Sequence, residues 1–428
     1  MTKVKLSDSM TLGFALFAMF FGAGNLIFPP FLGYTSGNMW FIGFLCFIAA
    51  DAGLALLALF VIAKLGRGTE GITEVLGNKL SKTFLALSCL CIGPFIAIPR
   101  TGAITYELGV SPLIGGHHGV LITGLFFLIC LIFSIRRAKI IDLIGKILSP
   151  ILFATLLVLV IKGIVTPIGS INATDSLAHV VRSGIMSGYQ TMDMMGSAVF
   201  AMAIVFELTQ KGYTKAPDQF KVISLSGLVC GSLLFIVYGG LAMLGATTAG
   251  NYPAGLSQTE LLSMITRELL GHPGLVVLAI IVASACITTA VGLLTSVSAF
   301  FEDLTGGRVS YKTFVIIFTL FSWVISNFGI ATIISVAAPI LEVLFPVLIA
   351  LTVLRLFASK IRDNYVYVTA AAVSAGVAFL STIGSLLGVS LGMDRLPLAD
   401  MGFEWVIPTA IAVVIALVVS AVKARRAV

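Results

Sequence analysis

From Met10 to Val422 the chain is a succession of apolar stretches separated by short polar connections. Many of these stretches reach about 18 residues, enough for a helix to cross the hydrocarbon core of a bilayer. With 58% hydrophobic and only 11% charged residues, the chain lies far from the roughly 25% charge of water-soluble domains. Twelve spans are predicted, over residues 10–33, 39–63, 84–107, 118–135, 140–162, 183–210, 219–246, 273–301, 312–327, 330–356, 364–389 and 403–422. Residues 10–33 are too long for a removable signal and read as the first span. The longer connections are 163–182 and 247–272.

The net charge of +7 is not a nucleic-acid patch, because the basic residues alternate with the spans. One set of connections carries Lys3 and Lys5, Lys64 to Lys82, Arg136, Arg137 and Lys139, Lys211, Lys215 and Lys221, Arg308 and Lys312, Arg355, Lys360 and Arg362, and finally Lys423, Arg425 and Arg426. The opposite set carries only Lys162, Arg182, Arg267 and Arg395, and Arg100 and Lys146 fall within spans. The positive-inside rule then places both termini in the cytoplasm. His117, His118, His179 and His272 all fall on the outer side, so none is expected at mid-membrane. The six cysteines lie in apolar spans without a CxxC pair, which predicts buried hydrophobes and no disulfide or zinc framework.

The first span interrupts itself. In FAMFFGAGNLIFPP, residues 17–30, an apolar run meets Gly22, Ala23, Gly24 and the polar Asn25, then two prolines. Unpaired backbone groups in hydrocarbon cost several kcal/mol, so a broken helix survives only in a protein interior or along a cavity. Taken alone, the glycines equally fit a packing notch against a neighbouring helix. The sixth span tips the balance. GYQTMDMMGSAVF, residues 188–200, sets Gln190, Thr191, Asp193, Gly196 and Ser197 in an apolar segment, and an ionisable residue there faces a cavity or a partner. Spans one and six open two five-span halves, 1–5 and 6–10. Since five is odd, the halves have inverted topology, and matched interruptions in two such halves point to a mid-membrane transport site. The eighth span, SACITTAVGLLTSVSAFFED (284–303), carries Ser284, Thr288 and Thr295 on one side. Their hydroxyls suit either bonds to their own helix carbonyls or a hard cation.

Together, FAMFFGAGNLIFPP and GYQTMD resemble the branched-chain amino acid:cation symporters, the LIV-II type carriers of bacteria, over essentially the whole chain. The resemblance implies an all-α membrane protein with 12 transmembrane helices. Its LeuT-like core would be a 5+5 inverted repeat with helices 1 and 6 discontinuous. Residues 1–163 would form the first repeat, 164–358 the second, and 359–428 two accessory helices. It also implies a Na+ site, on the carbonyls of Ala18, Phe21 and Ala285 and the hydroxyls of Thr288 and Thr289. The match rests on GAGN in span one and on TT…AFFED in span eight.

The break in span one presents a negative helix end near Phe21 and a positive one near Asn25. The predicted substrate site is therefore Gly22, Ala23, Gly24 and Asn25, whose amides take a carboxylate. Opposite them, the unwound sixth span at Gln190 and Thr191 takes the ammonium on its carbonyls, with Asp193 nearby as an ion pair. Leucine, isoleucine and valine differ by at most one methylene or its position, worth about 1–3 kcal/mol in an apolar pocket, so all three are expected substrates. Na+ is the expected coupling ion, with H+ on Asp193 as the alternative. Arg100, between Pro94 and Pro99, is expected in a buried structural pair with Asp51 or Glu107, with a gate as the other reading. Glu342 is left between a structural and a gating role. A channel would need a filter of polar rings. An enzyme would need a catalytic cluster such as HExxH or a nucleophile beside its base. Neither pattern is present in the sequence.

Overall fold

The computed structural model describes residues 5–65, 71–135, 140–173, 176–253, 255–389 and 391–426. Lys3, Arg67, Arg136, Arg137 and Lys139, which enter the charge pattern, lie outside these residues, as do the side chains of Lys146 and Arg426. All regular structure among the described residues is helical.

The first span is two helices, α1 (Leu6–Phe20) and α2 (Ala23–Ser36). The second is α3 (Trp40–Ile48) and α4 (Leu54–Leu65), joined by a π-helical turn, Ala49–Gly53. The third is also segmented: α5 (Asn78–Leu90), a π-turn at Cys91–Phe95, α6 (Ala97–Ile104), a second π-turn at Thr105–Val110, and α7 (Ser111–Ile114). Then follow α8 (Gly119–Ile135), α9 (Ile140–Val165), α10 (Leu177–Thr191), α11 (Asp193–Gln210) and α12 (Ala216–Ala246). The last are α13 (Gln258–Leu304), α14 (Tyr311–Ser326), α15 (Ile330–Leu356), α16 (Asn364–Leu387) and α17 (Val406–Arg426).

By length and composition, seven of the described helical runs can cross a membrane, and four shorter apolar helices accompany them: Leu6–Phe20, Gly119–Ile135, Pro150–Val165 and Tyr311–Ser326. One connection differs from expectation. Residues 247–272 are not all loop, because α13 begins at Gln258 and turns sharply at Gly271 (φ +65°) just before Pro273. Its start is a capping box. Ser257 accepts from the Glu260 amide while the Glu260 carboxylate accepts from the Ser257 amide. That is the S-x-x-E pattern that satisfies two orphan donors at a helix start.

The interior is mostly aliphatic, and its largest fully buried side chains include Phe17, Phe20, Phe44, Phe47, Tyr238 and Phe345. The outer face is apolar too: Leu121 is 72% exposed and Val418 59%. Such a surface suits lipid, not water. Glycines set the closest helix crossing. A Cβ added at Gly33 would lie 1.8 Å from the Ala242 carbonyl oxygen, and one at Gly245 would lie 1.7 Å from that of Pro30. Backbone-to-backbone contact of α2 with α12 is the small-residue packing that membrane helices use in place of a hydrophobic driving force. It brings the break in span one against Tyr238 of α12.

Candidate functional site

The break in span one is narrower than the sequence suggests. Phe21 (φ −76°, ψ +79°) and Gly22 (φ −94°, ψ −174°) leave the helix, and α2 resumes at Ala23. The Gly22 amide donates to the Phe20 carbonyl at 2.8 Å, so it is committed within the break. Gly22, the N-cap, makes no side-chain cap bond, so the first-turn amides of α2, from Ala23 to Asn25, begin the helix with no capping acceptor. Further on, Pro29 and Pro30 lie inside α2 and remove the donors that would meet the Asn25 and Leu26 carbonyls.

Span six breaks by a different device. Met192 sits at φ +64°, ψ +16°, a left-handed conformation that an unbranched side chain adopts only when its surroundings hold it there. The helix stops at Thr191 and restarts at Asp193. Both interruptions line one cavity of about 50 Å³, together with Met19, Ala97, Arg100, Phe200 and Thr289.

A buried polar cluster holds the two breaks in register. The Asn25 side-chain amide donates toward Asp193 Oδ2 at 2.8 Å, Asp51 Oδ2 at 3.2 Å and the Tyr238 hydroxyl at 2.6 Å. Two amide protons face three oxygens, so the donor is fully used. Asp51 Oδ1 accepts from the Thr191 hydroxyl at 2.8 Å. The Asp51 and Asp193 carboxyls also lie within hydrogen-bonding reach of each other. Two ionised carboxylates cannot bond directly, so that contact calls for a proton or a cation between them. Asp51 projects from the π-turn of span two, the kind of helix irregularity that recurs at functional sites.

The residues named from sequence distribute as follows. Gly22, Ala23, Gly24, Asn25, Thr191 and Asp193 line the cavity. Gln190 is turned away, its Nε2 donating to the Ile334 carbonyl of α15 at 3.3 Å while its Oε1 finds no partner. Of the cation set, Thr289 faces the cavity, whereas the Thr288 hydroxyl donates to the Ala285 carbonyl at 2.8 Å. Phe21 stacks its ring on Phe17 and Tyr238, and Ala18 is half-buried on α1.

Arg100 makes neither of the pairs expected for it. Asp51 is taken by Asn25 and Thr191. Glu107 accepts from the Ile330 amide at 2.8 Å, capping the start of α15, and from Thr259 at 3.0 Å. The guanidinium instead donates through Nη1 to the Gln190 carbonyl at 2.5 Å and through Nη2 to that of Thr191 at 3.5 Å. These are the carbonyls assigned from sequence to the substrate ammonium. Glu342 is tied to α16 by a 3.5 Å contact from the Thr382 hydroxyl.

Of the cluster's members, sequence reasoning named Asp51 only as a partner for Arg100 and did not name Tyr238. Asp51 did carry a signal, an ionisable group within an apolar span, the same ground that singled out Asp193. Tyr238, in the run LLFIVYGG, carried none, since a tyrosine among aliphatic residues is ordinary in membrane helices.

Similarity to known proteins agrees with this geometry. Residues 5–423 match the family model described as branched-chain amino acid transport protein. The chain is 34% identical to the branched-chain amino acid permease BraB of Bacillus subtilis (strain 168), over 97% of this chain and 96% of the relative. Among solved structures, the inward-facing conformation of Mhp1 superposes with a TM-score of 0.63 at 14% identity, covering 97% of this chain and 91% of that one. A Na+-coupled sialic acid symporter does so at 0.59 and 17%, covering 95% and 88%. These two likenesses speak to the fold, a LeuT-like transporter architecture. With a family match along nearly its whole length, the chain belongs to the branched-chain amino acid transport proteins: it is a multi-pass membrane carrier and not an enzyme.

Proposed function

We propose that this carrier takes up leucine, isoleucine and valine by sodium-coupled symport across a bacterial inner membrane. It would cross twelve times with both termini inside, as residues 1–163 and 164–358 in inverted halves and 359–428 as accessory helices. The observation that carries this reading is that two helix breaks line one cavity. Uncapped amides at the start of α2 favour an anion. Asp193, which lines the same cavity from the start of α11, favours a cation. An amino acid zwitterion presents both charges, and Met19, Ile92, Ala97, Phe200 and Leu293 supply apolar walls.

Sodium would sit on Ala18, Phe21, Ala285, Thr288 and Thr289 and tie α1 to α13. Carbonyl and hydroxyl oxygens are the ligands that a hard alkali cation takes. The Thr288–Ala285 bond brings two of these oxygens together, and the sialic acid symporter of the same fold is Na+-coupled by its description. Occupancy would favour the outward-open state, with coupling arising from unequal ion affinity in the two states. One observation favours a second reading: the facing Asp51 and Asp193 carboxyls offer a place for a transported proton. Leucine uptake into proteoliposomes, under sodium and proton gradients imposed separately, decides between them. Uptake driven by a sodium gradient alone supports the first reading, and uptake driven only by a proton gradient replaces it with the second.

A further inference from the structure

Arg100 is a buried cation caught between two helix ends, the C-terminal carbonyls of α10 and the first turn of α2. It is 3% exposed, and no carboxylate lies within 4 Å of it to form an ion pair among the described residues. Its guanidinium presses on the first turn of α2, where a Cβ added to Gly24 would lie 2.8 Å from Nη2 and 3.0 Å from the central carbon. The start of α2 is that helix's positive pole, with free amides pointing outward. A guanidinium set against such a pole is repelled by it, unless an anion lies between the two. Arg100 Nε is moreover buried without any hydrogen-bond partner, and a buried charged donor left unpaired is costlier than a neutral one.

We propose that Arg100 is the side chain that recognises the carboxylate of the transported amino acid, an inference that rests on the transport reading above. Nε–H and one Nη–H form the fork that matches a carboxylate, and the α2 amides supply further donors from the other side. The same anion thus satisfies the unpaired Nε and separates the two positive groups. The cavity of about 50 Å³ is far below the roughly 300 Å³ at which ligand pockets begin, and the guanidinium is part of what fills it. Binding therefore requires Arg100 to give up at least one of the Gln190 and Thr191 carbonyls. Its ring contact, 5.7 Å from the Phe28 centroid, tolerates such a shift, since stacking is less directional than a hydrogen bond. Asp193 is left to take the ammonium.

The test is binding of L-leucine and of L-leucinamide, which keeps the ammonium and side chain but lacks the carboxylate. Both are titrated as competitors of labelled leucine on purified wild type, Arg100→Gln and Arg100→Lys, with melting curves to establish folding. The expected result is a leucine affinity at least about 30-fold weaker in Arg100→Gln, an unchanged leucinamide affinity, and an intermediate leucine affinity in Arg100→Lys. Equal loss for both ligands, or a preserved preference for leucine over leucinamide, overturns the assignment. If Arg100→Gln does not fold, the same comparison in Arg100→Lys decides. A wild type that binds no branched-chain amino acid refutes the transport reading itself, which is a different outcome from leucine binding that ignores Arg100.

Discussion

Replacing Asp193 with asparagine tests the proposed charge arrangement most directly. The side chain is 8% exposed and its Oδ2 accepts from Asn25 at 2.8 Å. Asparagine keeps an acceptor of the same size there, so the cluster with Tyr238 should persist and the protein should fold. The variant loses the negative charge that would face the substrate ammonium. Removing one partner of a buried, hydrogen-bonded charge pair costs about 2–5 kcal/mol, which corresponds to roughly 30-fold or more in leucine affinity. The control is Asp51→Asn. Asp51 is fully buried and satisfied by Asn25 and Thr191, but it does not line the cavity, so its variant should lose much less. Titrating labelled leucine on both variants checks the difference. A leucine affinity in Asp193→Asn within threefold of wild type would refute an ammonium at Asp193. Equal losses in the two variants would mean that the carboxyl pair acts as one unit, and the assignment to Asp193 alone would fall.

Three other outcomes are expected. Thr289→Ala should weaken the sodium dependence of leucine uptake about tenfold, as loss of a hydroxyl ligand worth about 1.4 kcal/mol would; a wild-type sodium curve sinks the proposed ion site. Gly33→Val should abolish the folded carrier in detergent, because the Cβ would collide with the Ala242 carbonyl at 1.8 Å and backbone cannot yield as a side chain can. A monodisperse, leucine-binding variant would contradict that. Asp363 caps α16 by accepting from the Tyr365 amide at 3.0 Å. The Ser420 hydroxyl, then that amide, hold its carboxyl below the usual aspartate range. The lowered folded value means that the cap stabilises above the unfolded pKa of about 3.9 and fades as pH falls through the lower value. Asp363→Ala should therefore cost about 1 kcal/mol at pH 7 and progressively less below pH 4, read from melting curves; a pH-independent difference would be inconsistent with this cap.

Membership in the family and the LeuT-like all-α fold follow from local, one-dimensional information. Hydrophobic runs long enough for a bilayer can become little other than helices, because lipid satisfies no backbone group. Glycine and asparagine at 22–25, and the polar run at 190–193, mark the weak points of those helices for the same reason. The start of α13 carried a signal that the sequence reading passed over, since Ser257 and Glu260 stand at capping-box spacing inside a stretch read as a loop.

Tertiary structure decided what the breaks face. Asn25 meets Asp193 across 168 positions and Tyr238 across 213, and no periodicity within a span encodes such a meeting. Arg100 illustrates the same limit. Its sequence neighbours show only a charge that needs a partner, and acidic residues on the spans around it look like the answer. In the folded chain those acids are spent elsewhere, Asp51 on Asn25 and Thr191 and Glu107 on the α15 amide. The guanidinium is left between two helix ends, bonded to carbonyls that exist as acceptors only because Met192 breaks span six. Hydropathy acts over one helix and is readable along the chain, whereas pairing of buried polar groups is a competition among all the groups that the packing brings together, and only the packed structure settles it.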